Sequence, residues 1–345
     1  MLVVRAIREQ DLDGLLALAR LVGSGMTTLK PDRIALGQRV EIACASFAGG
    51  LEPAKCDYVF VMEDTTSGEV VGVCGIKGAV GLDEPFYNYR IGTLVHSSKE
   101  LGVFSRMDTL YLSNDLTGCA ELCSLFLHPD YRHSANGKLL SKSRFMFIAQ
   151  FPELFSTKLI AEMRGFQDGH GRSPFWDSLG RHFFRIEFDR ADDLTSLGKK
   201  SFIAELMPRH PLYVAYLPQR AQEVIGRVHP ATAPARHLLE QEGMYYEGYV
   251  DIFDAGPVLQ ARISELRALR ESELAIVESS EEDVPELPPA LAASTHMHDF
   301  RVIVAHTQAV NGGLALTPAQ QDLLGCAAGA AVRTMPLNPR KNIHA

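Results

Sequence analysis

Residues 121–145, ELCSLFLHPDYRHSANGKLLSKSRF, change character three times. Residues 122–127 form an apolar run that suits a buried strand. Pro129 has no N–H for a sheet ladder, so pairing should stop near it. The bend at residues 132–138 is small and polar, and helical periodicity follows. A helix that starts there leaves its first amide N–H groups without intrahelical partners, and with the helix dipole these favour a phosphate. Small side chains let the ligand reach the backbone. Arg132, Lys138, Lys142 and Arg144 lie between Tyr131 and Phe145 with no acidic residue among them. The sequence thus predicts a basic rim that draws a highly phosphorylated ligand, although a plain helix start with a solvated basic face fits the pattern equally. Neither GxGxxG nor GxxxxGK[ST] occurs in the stretch, which gives a dehydrogenase or a nucleotide hydrolase little support.

Working outward, residues 3–22 read as a strand and an amphipathic helix, and residues 31–47 as a second helix. YVFVME (58–63) and EVVGVCGI (69–76) flank a turn and predict a hairpin. TLVHSS and DTLYLS predict another hairpin before the opening strand. After the helix ending near Gln150 come a strand at 158–163, a helix at 173–182, a strand at 183–188 and a helix at 232–242. SPFWDSLGRHFFRIEFD and APARHLLEQEGMYYEGYVDIFD echo each other, which suggests a second, partial copy of an α/β unit. Beyond Asp254 an acidic run at 278–289 reads as an exposed loop, while FRVIVAHT, LALT and AAVRTMPL, with a helix at 318–324, predict a small β-rich domain. The expected division is 1–254 (core 1–190, partial second unit 191–254), 255–337, and a disordered tail at 338–345.

The chain has 345 residues, 46% hydrophobic and 22% charged, enough to bury a sizeable core. A net charge of -8 without a long basic run argues against nucleic acid or a membrane surface as partner and for small molecules. No apolar run reaches the length of a membrane span and no signal-peptide pattern opens the chain, so a cytoplasmic location is expected. The six cysteines include no CxxC pair and read as buried free thiols. His296 and His298 lack any zinc-like context, so no metal site is expected.

PDYRHSANGKLL resembles the pyrophosphate-binding motif of the GNAT acyltransferase superfamily, Arg/Gln-x-x-Gly-x-Gly/Ala between a strand and a helix. Here it reads Arg132-x-x-Ala135-x-Gly137, with alanine for the first glycine. Longer strings are similar to the arginine N-succinyltransferase family: PFYNYRIGTLVHSSKEL (85–101), LSNDLTG (112–118), LLSKSRFMF (139–147), AEMRG (161–165), SPFWDSLGRHFF (173–184), FIAELMPRHPLY (202–213), VIGRVHPATAPAR (224–236) and YVDIFDAGP (249–257). The resemblance implies a GNAT-like mixed sheet flanked by helices, with a partial second α/β unit and a small C-terminal β-rich domain. It also implies succinyl transfer from succinyl-CoA, a co-substrate and not a tightly bound cofactor, to the α-amine of L-arginine in arginine catabolism. In some bacteria two related subunits assemble and act also on ornithine, so a homo-oligomer or a hetero-oligomer with a related subunit is expected. Another GNAT-type acyltransferase, with a different donor or amine, or a non-catalytic CoA-binding subunit, is the alternative.

The resemblance places CoA over Arg132, His133, Ser134, Ala135, Asn136, Gly137 and Lys138, with its pantetheine alongside Leu125 and Leu127. It points to His229 as proton donor. Pro230 biases that histidine away from helix and a new helix follows, so His229 sits on a bend; a histidine that only bonds its own loop fits as well. Glu162 and Arg164 on one strand face suit a guanidinium and a carboxylate, or equally a structural salt bridge. Asp251 and Asp254 are further guanidinium candidates.

Overall fold

The computed structural model describes every residue except 23–25, 189, 192–193, 195–200, 209, 282–284 and 340–345. Parts of the expected second unit, acidic loop and tail therefore lie outside the described residues. Strand β1 (Leu2–Ala6) leads into helices α1 (Leu12–Leu21) and α2 (Arg33–Ala48), then the hairpin β2 (Asp57–Asp64) and β3 (Glu69–Lys77). The long hairpin β4 (Asn88–Ser98) and β5 (Val103–Ser113) precedes β6 (Ala120–Leu127), helix α3 (Asn136–Gln150) and β7 (Lys158–Glu162). Then come β8 (Leu212–Tyr213), helix α4 (Ala233–Gln241), β9 (Tyr245–Asp251) and β10 (Pro257–Arg262). The chain closes with β11 (Glu273–Ser279), β12 (Pro289–Ser294), β13 (Arg301–His306), β14 (Ala309–Val310), β15 (Gly313–Leu316), helix α5 (Pro318–Leu324) and β16 (Ala331–Pro336).

All the described strands join one sheet, in the order β14-β15-β11-β16-β12-β13-β1-β2-β3-β6-β7-β10-β9-β4-β5-β8. Its middle strands are apolar on both faces because both faces are covered. Along β2, Val59 and Val61 pack with α1 and α2, while Tyr58, Phe60 and Met62 pack with α3 residues such as Phe147. Residues 257–262, which composition groups with the C-terminal part, pair instead between β7 and β9. The C-terminal strands continue the same sheet, because β1 pairs with both β2 and β13.

Both predicted hairpins form, as do the helices at the chain's start, after the opening bend and at 318–324. The strand expected at 183–188 does not: a short helix, Gly180–Phe184, occupies its first two residues. Trp176 stacks on Phe184 at 5.3 Å, so this aromatic run closes a local cluster instead of adding to the sheet. The internal echo ends there, because only its second copy runs from helix to strand.

Candidate functional site

Strand β6 decides the site. On one side it pairs antiparallel with β3 as far as Gly72 opposite Leu127. On the other it pairs in parallel with β7 only at Ala120 opposite Leu159 and Glu121 opposite Ile160. Beyond that point β6 and β7 part, opening a notch whose β6 edge includes Leu125 and Leu127. A bulge lies within the notch: Val73 faces Phe126 and Gly75 faces Cys123, so two β6 residues, Ser124 and Leu125, oppose Cys74 alone. Ser124 has φ 55°, a left-handed conformation rare for a side-chain-bearing residue. Leu125 is half-buried and packs against the main core.

The notch leads to the bend. His128 Nδ1 accepts from the Asp130 amide at 3.3 Å and ends the strand. Arg132 turns back, donating from Nε to the Leu127 carbonyl oxygen at 2.9 Å and lying over the Phe126 ring at 5.3 Å. Ser134 is left-handed, φ 53°, and His133 Nδ1 is 3.3 Å from its hydroxyl. Asn136 donates to the Tyr131 carbonyl oxygen at 3.0 Å. Ala135 caps α3 without a side-chain bond, and the first 4-residue helical bond runs from Leu139 to Ala135 at 2.8 Å. The amides of Gly137 and Lys138 thus lie in the first turn, ahead of the helical ladder. Lys138 reaches Asn338 Oδ1 at 2.6 Å, tying the bend to the end of the C-terminal unit.

The predicted basic rim needs correction. Lys142 and Arg144 are 0% and 2% exposed, because α3 is enclosed almost all round between the sheet and later elements. Lys142 Nζ lies 2.8 Å from Glu242 Oε1 and donates to the Leu337 carbonyl oxygen at 2.9 Å. Glu242, itself 0% exposed, also takes the fork of buried Arg267, with Nη2 at 2.9 Å. Burial lowers the pKa of Lys142, with Glu242 opposing the shift. Arg144 binds the Ser141 carbonyl and hydroxyl oxygens at 3.2 Å each. Of the four predicted cations, Arg132 and Lys138 remain at the bend.

His229 stands on the other bend. Its amide donates to the Arg164 carbonyl oxygen at 2.8 Å, beside a lone bridge between Gly165 and Val228. Its Nδ1 accepts from the Ala231 amide at 3.2 Å, which puts the proton of the neutral ring on Nε2. Burial first and the Arg164 charge second lower its pKa below the ordinary 6.5. Arg164 Nη2 binds Gln167 Oε1, and Glu162 accepts from Asn88 Nδ2 at 2.7 Å. Asp251 Oδ1 accepts the amides of Phe253 and Asp254 at 2.7 and 2.8 Å. Asp254 caps the Gly165 and Gly256 amides at 2.7 and 2.8 Å. Burial, then Asp251, push the Asp254 carboxyl well above the usual range, against those two amides. Asp251 therefore shapes the turn at residues 251–256, and Asp254 ties that turn to Gly165, the residue after Arg164. Among the described residues no group of three or more metal-ligating side chains gathers, and no helix is long and apolar enough to cross a membrane.

The bulge and the polar residues that hold it were missed from the sequence. The available signal was Ser124, a hydroxyl inside the otherwise apolar run at 122–127.

Known proteins share this architecture. The family model described as arginine N-succinyltransferase beta subunit matches residues 2–268, and that of its C-terminal domain matches residues 272–336. Arginine N-succinyltransferases of Escherichia coli O139:H28 and Shigella flexneri are each 50% identical over 337 residues, 98% of this chain and 98% of theirs. The solved structure of arginine/ornithine succinyltransferase subunit AI from Pseudomonas aeruginosa superposes with a TM-score of 0.90 at 34% identity, covering 98% of this chain and 99% of that one. The expected GNAT-like mixed sheet with a C-terminal β-rich region is the fold found. A match along nearly the whole length, at this identity, establishes that the chain belongs to the arginine N-succinyltransferase family of acyltransferases.

Proposed function

We propose that the chain moves the succinyl group of succinyl-CoA to the α-amine of L-arginine, releasing CoA and N2-succinylarginine within arginine catabolism. The notch between β6 and β7, leading to the first turn of α3, carries this reading, since an acyl-CoA needs an edge for its pantetheine and amides for its pyrophosphate. Arg132 and Lys138 add positive charge there. Leu125 and Leu127 offer backbone along the notch, and an N–H from this edge is the oxyanion donor.

Attack by the neutral amine on the thioester carbonyl forms a tetrahedral oxyanion; its collapse breaks the carbon–sulfur bond, and the thiolate takes a proton. His229 is the proton carrier. At rest its Nε2–H is a donor to the departing sulfur. Accepting the amine's proton on the ring requires Nδ1 to release Ala231, a weak contact worth about 1 kcal/mol. The depressed pKa keeps the resting ring neutral near pH 7 and makes the charged ring a ready acid. In this reading Glu162 meets the guanidinium and Arg164 a carboxylate of either substrate, while Asp254 holds the segment after Arg164 through the Gly165 amide and Asp251 shapes the adjoining turn.

A thiol-release assay tests this. Succinyl-CoA with arginine should release CoA well above succinyl-CoA alone; release only with acetyl-CoA, or with no addition of arginine, contradicts it. Ornithine belongs in the same assay, because the relative from Pseudomonas aeruginosa is an arginine/ornithine succinyltransferase. That relative is described as a subunit, which supports assembly with a second copy or a related chain.

A further inference from the structure

Ser124 sits in the left-handed region inside a strand, a conformation that costs a side-chain-bearing residue stability unless its surroundings hold it. Arg39, on α2, reaches it through the core. Its Nη1 donates to Ser124 Oγ at 2.8 Å and to the Thr28 carbonyl oxygen at 2.6 Å. Its Nε and Nη2 fork onto Asp57 at 2.9 and 3.2 Å. Ser124 Oγ in turn donates to Thr28 Oγ1 at 2.8 Å. Nη2 lies 3.6 Å from Cys123 Sγ, and a Cβ on Gly75 would stand 3.1 Å from both that nitrogen and that sulfur. Glycine at 75 thus leaves room for the guanidinium. A single side chain joins the start of β2, the segment before α2 and the bulge of β6.

We propose that Arg39 is a positioning residue for acyl transfer, locking the β6 bulge at Ser124 so that the edge at Leu125 meets the thioester at a fixed angle and distance. The inference rests on the reading that an acyl-CoA lies along this edge. None of the hydrogen bonds of Arg39 goes to the bend at residues 132–138 or to α3, so the clamp governs the reacting end of the thioester and not its phosphates. Lysine at 39 keeps a charge beside Asp57 but lacks the planar fork that serves Asp57, Thr28 and Ser124 together. Glycine at 124 takes φ 55° without strain and needs less clamping.

The test compares wild type, Arg39→Lys and Arg39→Lys/Ser124→Gly by steady-state kinetics with succinyl-CoA and arginine, by CoA titration, and by thermal melting. Arg39→Lys should lower kcat at least about tenfold, the scale of a misaligned oxyanion donor, with CoA affinity within about threefold. The double variant should regain most of that kcat. A merely structural arginine predicts lower melting temperature in both variants and no recovery of kcat, and that result overturns the proposal. Unchanged kcat in folded Arg39→Lys also overturns it. Failure of the wild type to bind CoA removes the acyl-CoA reading itself and the proposal with it, whereas the two preceding outcomes leave that reading standing.

Discussion

The amide of His229 donates to the carbonyl oxygen of Arg164 at 2.8 Å. This one bond places a bend from the second half of the chain beside the segment leaving β7, and the Gly165–Val228 bridge reinforces it. Because the bond uses the main chain, the imidazole can be removed without undoing the bend.

His229→Ala should therefore fold normally and lose activity. We expect kcat to fall about 10²- to 10⁴-fold, the usual worth of a positioned proton carrier, with circular dichroism and CoA affinity close to wild type. A folded variant that turns over at the wild-type rate excludes the proton-transfer role.

The His229 ring should titrate below 6.5. Burial, the Arg164 charge and the Ala231 N–H all disfavour a proton on the ring. As pH falls past 6.5 the unfolded chain protonates first. The small contribution of this group to stability is thus present above that value and lost as pH falls through the folded pKa. NMR of ring-labelled protein measures the midpoint, and Arg164→Gln should raise it; a wild-type midpoint at or above 6.5 contradicts this.

A Cβ on Gly137 meets nothing within 4 Å. Gly137→Ala should leave the fold intact, while Gly137→Glu puts a negative charge in the first turn of α3, the position proposed for the phosphates. Calorimetry should show CoA affinity lowered at least about 100-fold, some 2.7 kcal/mol. Unchanged affinity in the glutamate variant would remove the phosphates from this turn.

Glu242 holds both Lys142 and Arg267 inside the protein. Glu242→Leu leaves two buried cations without this partner and should cost about 3–5 kcal/mol in urea unfolding. Lys142→Met should cost less, since Arg267 still neutralises Glu242. The double variant Lys142→Met/Glu242→Leu should lose less than the sum of the singles; strict additivity would show that the contact carries no coupling.

Much of the fold was legible because its signals are local. Turn residues between apolar runs marked the first hairpin, Thr317 and Gln320 cap α5 reciprocally, and Pro129 marks the end of β6. The run at 183–188 misled, since aromatic and apolar residues suit a strand or a helix packed on Trp176 equally well, and only the neighbours decide.

The site divided along the same line. The bend at residues 132–138 was readable because helix-start chemistry is carried by adjacent residues. The burial of Lys142 and Arg144 was not, because helical spacing says which residues share a face and not what covers it. The sequence reading singles out His229 by resemblance and passes over Arg39, Ser124 and Glu242.

By itself, then, the sequence determined the order of strands and helices from β1 to β7, the break after β6 and the small, polar start of α3. Tertiary structure decided which edges pair, where β6 and β7 part, and which charges are buried. Those outcomes depend on partners far apart in the chain, such as Arg39 with Ser124 and Lys142 with Glu242, whose meeting no local spacing encodes.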